Sequence, residues 1–155
     1  MYPEPAAKPR SAAAEQRPSW DDYFIAIARA VATRSTCSRR SVGAVIVRDK
    51  RILATGYNGA PAGLRHCDHT RGGDLINGHC LRSTHAEQNA IVQAARYGIA
   101  IEAASLYITD QPCLTCVKSL INAGVRRVVF AHDYADEHGL QLLGEARIRV
   151  QRMAQ

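Results

Sequence analysis

The chain has 155 residues, 46% hydrophobic and 22% charged, which supplies one packed domain without disulfide stapling and is too short for two ordinary ones. No apolar run approaches the roughly 18–20 residues that span a bilayer as a helix, so a membrane-spanning helix is excluded and no membrane partner is expected. The net charge of +6, carried by scattered basic residues, suits anionic partners such as nucleotides, nucleic acid or acidic surfaces, or serves plain solubility.

Residues 1–18 alternate Pro, Ala and charge without apolar periodicity and read as a mobile tail, leaving residues 19–155 as a single domain. They contain no secretory h-region, and the five cysteines are an odd number. Both features point to a reducing cytoplasm, where cysteines serve as ligands or catalysts rather than bridges. Ser19 before Asp21 and Asp22 is a helix start, and Trp20, Phe24, Ile27, Ala28 and Val31 recur at helical spacing to about Arg34. Val42–Val47 and Ile52–Gly56, with Asp49-Lys50 between them, read as a hairpin. The stretch from Tyr57 to Arg82 is rich in Gly, His and Asp; a loop of that length is functional or held by something.

Thr84 is placed to cap a helix that ends near Tyr97 before Gly98. Leu106–Thr109 follows as a strand, Cys113–Ala123 as a helix stopped by Gly124, and Arg127–Ala131 as a strand. A short helix at Glu137–Leu143 and a strand at Ile148–Val150 close the chain. Alternating helices and strands favour right-handed crossovers, and with the hairpin in front they predict a three-layer α/β/α domain on a mixed central sheet.

The chemistry concentrates in His85-Ala86-Glu87 and Pro112-Cys113-Leu114-Thr115-Cys116. Cys113 and Cys116 are three apart in the first turn of a predicted helix, where the dipole favours thiolates. One His and two Cys make a three-ligand set that leaves zinc's fourth position open, the catalytic pattern. At a helix start His85 and Glu87 can lean past the end and meet, which places a carboxylate where a proton shuttle is needed. Either motif alone is weak; together they match the signature of zinc-dependent nucleobase deaminases.

Further segments carry a resemblance over roughly residues 20–150: Cys37 with Ser41–Val47, Thr55–Pro61, His85–Ile91, Leu106–Thr109, Pro112–Cys116, Ile121–Val125 and Tyr134–Asp136. The chain resembles the deoxycytidylate (dCMP) deaminases, including late-competence deaminase homologues. The resemblance implies a cytidine-deaminase-like fold, zinc on His85, Cys113 and Cys116, Glu87 as proton shuttle, and hydrolysis of dCMP to dUMP for thymidylate synthesis. It further implies a homo-oligomer, with a hexamer favoured, and dCTP and dTTP as effectors; nucleic acid is not expected as a partner. Asn58 matches a sugar-contacting residue, Ala86 would offer backbone groups to cytosine, and Tyr134 falls where an aromatic lies near the pocket. Rival readings are a deaminase of another cytosine nucleoside, nucleotide or modified base, and a non-catalytic zinc module that holds nucleic acid.

Two points stay open in the sequence. Arg39, Arg40, Arg65, Arg82 and Lys118 can each supply a phosphate contact, and nothing selects among them. Some dCMP deaminases carry a second, structural zinc at the positions of Cys37 and Cys67, and a metal would order the loop before His85. Here Cys37, Cys67 and Cys80 are the expected ligands with His69 or His79 as the fourth; idle buried thiols are the plain alternative.

Overall fold

Ser19 opens the first helix, α1 (Trp20–Ala32), by accepting a hydrogen bond from the backbone N–H of Asp22 at 3.1 Å. The computed structural model describes residues 17–70 and 74–154, so the tail reading lies outside it except for residues 17 and 18. Strands β1 (Gly43–Arg48) and β2 (Arg51–Tyr57) form the expected hairpin. Asp49 and Lys50 turn it with φ of 52° and 61°, the left-handed pair that matches strand twist.

The long loop contains a second, small hairpin that periodicity misses: β3 (Leu75–Ile76) and β4 (His79–Cys80). Its turn is Asn77-Gly78, both at positive φ, and Asn-Gly between two short runs is the signal that could have found it. The remainder alternates as expected: α2 (Ala86–Arg96), β5 (Ser105–Asp110), α3 (Leu114–Asn122), β6 (Arg127–His132), α4 (Glu137–Glu145) and β7 (Arg149–Arg152).

The five-stranded sheet runs β2-β1-β5-β6-β7, antiparallel across β1 and its two neighbours and parallel from β5 to β7. Side chains alternate between its faces. Val45, Val47, Tyr107, Val129 and Ala131 pack on one face with Phe24, Ile25 and Ala28 of α1. Ala44, Ile46, Leu106, Ile108, Val128 and Phe130 pack on the other with α2, α3 and α4. This is the three-layer α/β/α arrangement on a mixed sheet.

Two helix starts differ from the sequence reading. Thr84 exchanges backbone hydrogen bonds with Gly59, N–H to O at 2.9 and 3.2 Å, so it is held as a β-bridge and His85 becomes the N-cap of α2. Cys113 likewise caps α3 instead of lying in its first turn.

The start of α1 is pinned to the sheet by Asp21, which accepts from both Nη atoms of Arg127 at 2.7 Å and from the Tyr107 hydroxyl at 2.9 Å. Arg127 holds the Asp21 carboxyl below its ordinary 3.8. The stabilisation is therefore complete above that pH and is lost as the pH falls through the lowered value. Asp21→Asn is expected to lose about 1–2 kcal/mol at neutral pH, because the pair is only partly buried, and the deficit should vanish in acid. Urea unfolding of both proteins at pH 7 and below pH 3 checks it.

Candidate active site

The fold brings the starts of α2 and α3 together. β5 delivers the chain through Asp110, Gln111 and Pro112 into α3, while the Gly59–Thr84 bridge delivers it into α2. As N-caps, His85 and Cys113 have extended backbone, with ψ of 156° and 164°, so their side chains stand in front of the helix ends. The His85 backbone N–H donates to Gln88 Oε1 at 3.0 Å, which ties the cap to the first turn. His85 Nδ1 lies 3.5 Å from Cys113 Sγ and 3.4 Å from Cys116 Sγ.

A tetrahedral zinc with Zn–N of about 2.0–2.1 Å and Zn–S of about 2.3 Å separates N from S by roughly 3.5–3.6 Å. The three donor atoms fit that requirement. Their protonation fits it too. The Cys116 thiol donates to Cys113, and with His85 beside it Cys113 is lowered to about 4, while Cys116 is raised by the same contact. The neighbouring Cys113 sulfur raises His85. A divalent cation would hold both sulfurs as thiolates.

Glu87, second residue of α2, is 4% exposed, and burial pushes it up to about 7 from an ordinary 4.5. A carboxyl poised there can both take and release a proton near neutral pH. With His85, Cys113, Ala86, Asn58 and Tyr134 it lines one cavity of about 490 Å³, within the range of small-molecule sites. The structure thus places every residue that the sequence nominates for catalysis, base or sugar contact at this cavity, with Cys116 buried just behind it; of the five candidate phosphate contacts only Arg39 and Arg40 line it.

Asn58 also holds the scaffold of the cavity together. Its Oδ1 accepts from Val42 N and its Nδ2 donates to Arg40 O, both at 2.8 Å, so it fastens the segment before β1 to the end of β2. One lone pair and one amide hydrogen remain. Asp136, which the sequence shows only as part of a motif, proves to be a double cap. Its carboxylate accepts from Leu114 N at 2.6 Å and from Gly139 N at 3.1 Å, closing the starts of α3 and α4 together. The acid just before Glu137 is the local signal for it.

A second cluster lies in the long loop, where Cys67, His69 and Cys80 bring their ligand atoms within 4.8 Å of one another. His69 Nδ1 meets Ser38 Oγ at 3.3 Å, while its Nε2 is buried with no hydrogen-bond partner among the described residues. An orphaned imidazole nitrogen beside two thiols suits a metal. Between the two histidines left open, His69 is in the cluster and His79 lines the active-site cavity instead. Cys37 lies outside the mutual reach of the three, yet its charge contributes to raising Cys67, which burial chiefly pushes to about 11. The loop is also tied by the buried Asp74, which accepts from Arg65 twice at 2.8 Å and from Asp68 N at 2.8 Å.

A His–Cys–Cys centre with an adjacent buried carboxyl, on a three-layer α/β/α scaffold, defines a metal-dependent hydrolytic site. The family model for the cytidine and deoxycytidylate deaminase zinc-binding region matches residues 18–132, and the chain belongs to that family of zinc-dependent deaminases. ComE operon protein 2 of Bacillus subtilis is 45% identical over 139 residues, covering 89% of this chain and 73% of its own length. The deoxycytidylate deaminase of Saccharomyces cerevisiae is 39% identical over 153 residues, or 95% of this chain, which spans 49% of that relative. The crystal structure of dCMP deaminase from cyanophage S-TIM5 with dCMP and dUMP matches with a TM-score of 0.79 and 31% identity, covering 89% of this chain and 99% of that one. The fold is thus cytidine-deaminase-like, as the sequence resemblance implies.

Proposed function

We propose that this chain deaminates dCMP hydrolytically, yielding dUMP and ammonia. The observation that carries the reading is the buried Glu87 beside a zinc-spaced His85, Cys113 and Cys116 at a nucleotide-sized cavity. When bound there, zinc supplies Lewis acidity and makes water nucleophilic at neutral pH. His85, Cys113 and Cys116 would hold the ion from two helix starts, and three protein ligands would leave zinc a position for water. Water adds at C4 of cytosine. Glu87 takes one proton from the water and gives it to N3, then takes the second from the new C4 hydroxyl and gives it to the amine; the C4–N bond breaks, C4=O forms and ammonia leaves. Ala86 sits at the first helical position, where N–H groups have no intrahelical partner, and offers that backbone to the base. The spare donor and acceptor of Asn58 serve a sugar hydroxyl, and Tyr134 lines the same cavity.

Ammonia release from a panel of cytosine nucleosides and their mono-, di- and triphosphates tests the reading. The highest kcat/KM is expected for dCMP; a free nucleoside or another base in first place overturns it. Running the panel with and without dCTP and dTTP, on protein sized by sedimentation, tests the effectors and the homo-oligomer, hexamer included, that belong to the same reading. No helix among the described residues is long and apolar enough to cross a membrane, and a cytoplasmic location is part of the proposal.

A second, structural zinc on Cys67, His69 and Cys80, with Cys37 the further thiol that the sequence nominates, completes the reading. Zinc analysis of fully loaded protein is expected to find two ions per chain, falling to one in Cys67→Ser with deamination retained. One ion per chain in the wild type rejects the second site.

A further inference from the structure

The cavity wall includes a polar side chain that the deamination steps do not use. Gln111 stands between the last residue of β5 and Pro112, lines the cavity and is 6% exposed. An amide buried there needs partners at both its ends. It finds both in the segment that joins β6 to α4. Its Nε2 donates to the Asp136 carbonyl at 2.9 Å, and its Oε1 accepts from the Tyr134 backbone N–H at 3.4 Å. The Gln111 backbone N–H donates to the His132 carbonyl at 2.8 Å, so one residue holds the segment from the end of β6 to the cap of α4.

That segment belongs to neither strand nor helix. β6 ends at His132 and α4 begins at Glu137, and between them the Asp136 N–H donates back to the Tyr134 carbonyl at 2.7 Å, a turn of three residues. Asp136 spends its carboxylate on the starts of α3 and α4. The Tyr134 ring lines the cavity, 38% exposed, with its centre 5.5 Å from the Arg40 guanidinium. A ring so open to solvent is held mainly through its own backbone. Resting on the dCMP reading, we propose that Gln111 is a positioning residue for substrate binding: its amide clamps both ends of the turn at residues 134–136 and so fixes the Tyr134 ring where the bound nucleotide meets it.

The clamp acts on binding and not on the proton transfers. His85 and Glu87 are set by the start of α2, and Cys113 by the start of α3, which Asp136 closes with its carboxylate. A contact that is equally strong with bound substrate and at the transition state moves KM and leaves kcat alone. An amide carries a donor and an acceptor on one flat group, so it meets a carbonyl and an N–H two residues apart. Methionine is as long and unbranched but offers neither, which would leave the Tyr134 N–H and the Asp136 carbonyl to water and free the turn to move.

The experiment measures kcat and KM for dCMP, and Kd for dUMP by calorimetry, in the zinc-loaded wild type, Gln111→Met, Tyr134→Ala and the double variant. Gln111→Met is expected to raise KM and Kd about 3- to 10-fold, the worth of one ordinary hydrogen bond, with kcat and zinc content unchanged. Tyr134→Ala is expected to raise both by at least as much. Adding Gln111→Met to it should change nothing more, because the clamp then has no ring to place. Effects that multiply in the double variant overturn the proposal. So does a Gln111→Met protein that loses kcat and zinc together, which would assign the residue to the Cys113 ligand instead. Unchanged KM and Kd in Tyr134→Ala overturn it whatever Gln111→Met does. Where Gln111→Met fails to fold, Gln111→Glu, which keeps the acceptor for Tyr134 and loses the donor to Asp136, takes its place in the same cycle. A wild type that deaminates another cytosine compound in place of dCMP overturns the dCMP reading, and the cycle run on that compound still tests the clamp.

Discussion

Replacing Glu87 with glutamine is expected to leave the zinc content intact and to lower turnover of dCMP by about 10²- to 10⁴-fold, the usual span of a lost general acid–base group. Metal binding survives because the ligand set is His85, Cys113 and Cys116, and the amide keeps the shape of the buried side chain. Turnover fails because an amide cannot take the two protons of the water in turn and pass one to N3 and the other to the amine. Stability supplies a second readout, with a definite sign. In metal-free protein burial raises Glu87 from 4.5 to about 7, so the folded state holds its proton more tightly than the unfolded chain. Stability therefore falls as the pH rises across that window. Metal-free Glu87→Gln should match the wild type below about pH 4.5 and exceed it by roughly 3 kcal/mol above pH 7. Near-normal turnover in the zinc-loaded variant would remove the shuttle role.

Gly56→Ala is expected to be among the most damaging single-methyl changes in the described residues, together with Gly43→Ala, whose Cβ would meet the backbone of α1. A Cβ at Gly56 would lie 2.2 Å from the carbonyl oxygen of Ala86 and 2.4 Å from the amide nitrogen of Ala90. Both are backbone atoms of α2, so no side chain can swing away to relieve the overlap. Either the helix moves off β2 or the edge of the sheet unzips, and a loss of about 3 kcal/mol or more follows. Ala86 lies between His85 and Glu87, so any shift of that turn displaces both the zinc ligand and the shuttle. Reduced zinc retention should accompany the lower unfolding midpoint. A variant that unfolds with the wild type and keeps its zinc would contradict the close packing of α2 on β2.

Much of this was written locally in the chain. The continuous apolar runs of β1, β5 and β6 and the helical spacing of α1 specify a sheet covered on both faces, because each depends on neighbours within a few residues. His85-Ala86-Glu87 and Pro112–Cys116 were legible for the same reason: each set is built within one helix start. The β3–β4 hairpin was also local, announced by Asn77-Gly78, but lay hidden in a stretch with no periodicity. What only the tertiary structure decided are pairings over long separations. Thr84 is taken from capping by Gly59, His69 rather than His79 meets Cys67 and Cys80, and Asp136 reaches back to close α3. Arg40 finds Asp110 across an intervening hairpin, loop, helix and strand. A single basic or acidic residue carries no mark of its partner, since charge pairing has no period along the chain; it is set only when the sheet brings distant strand ends to the same cavity.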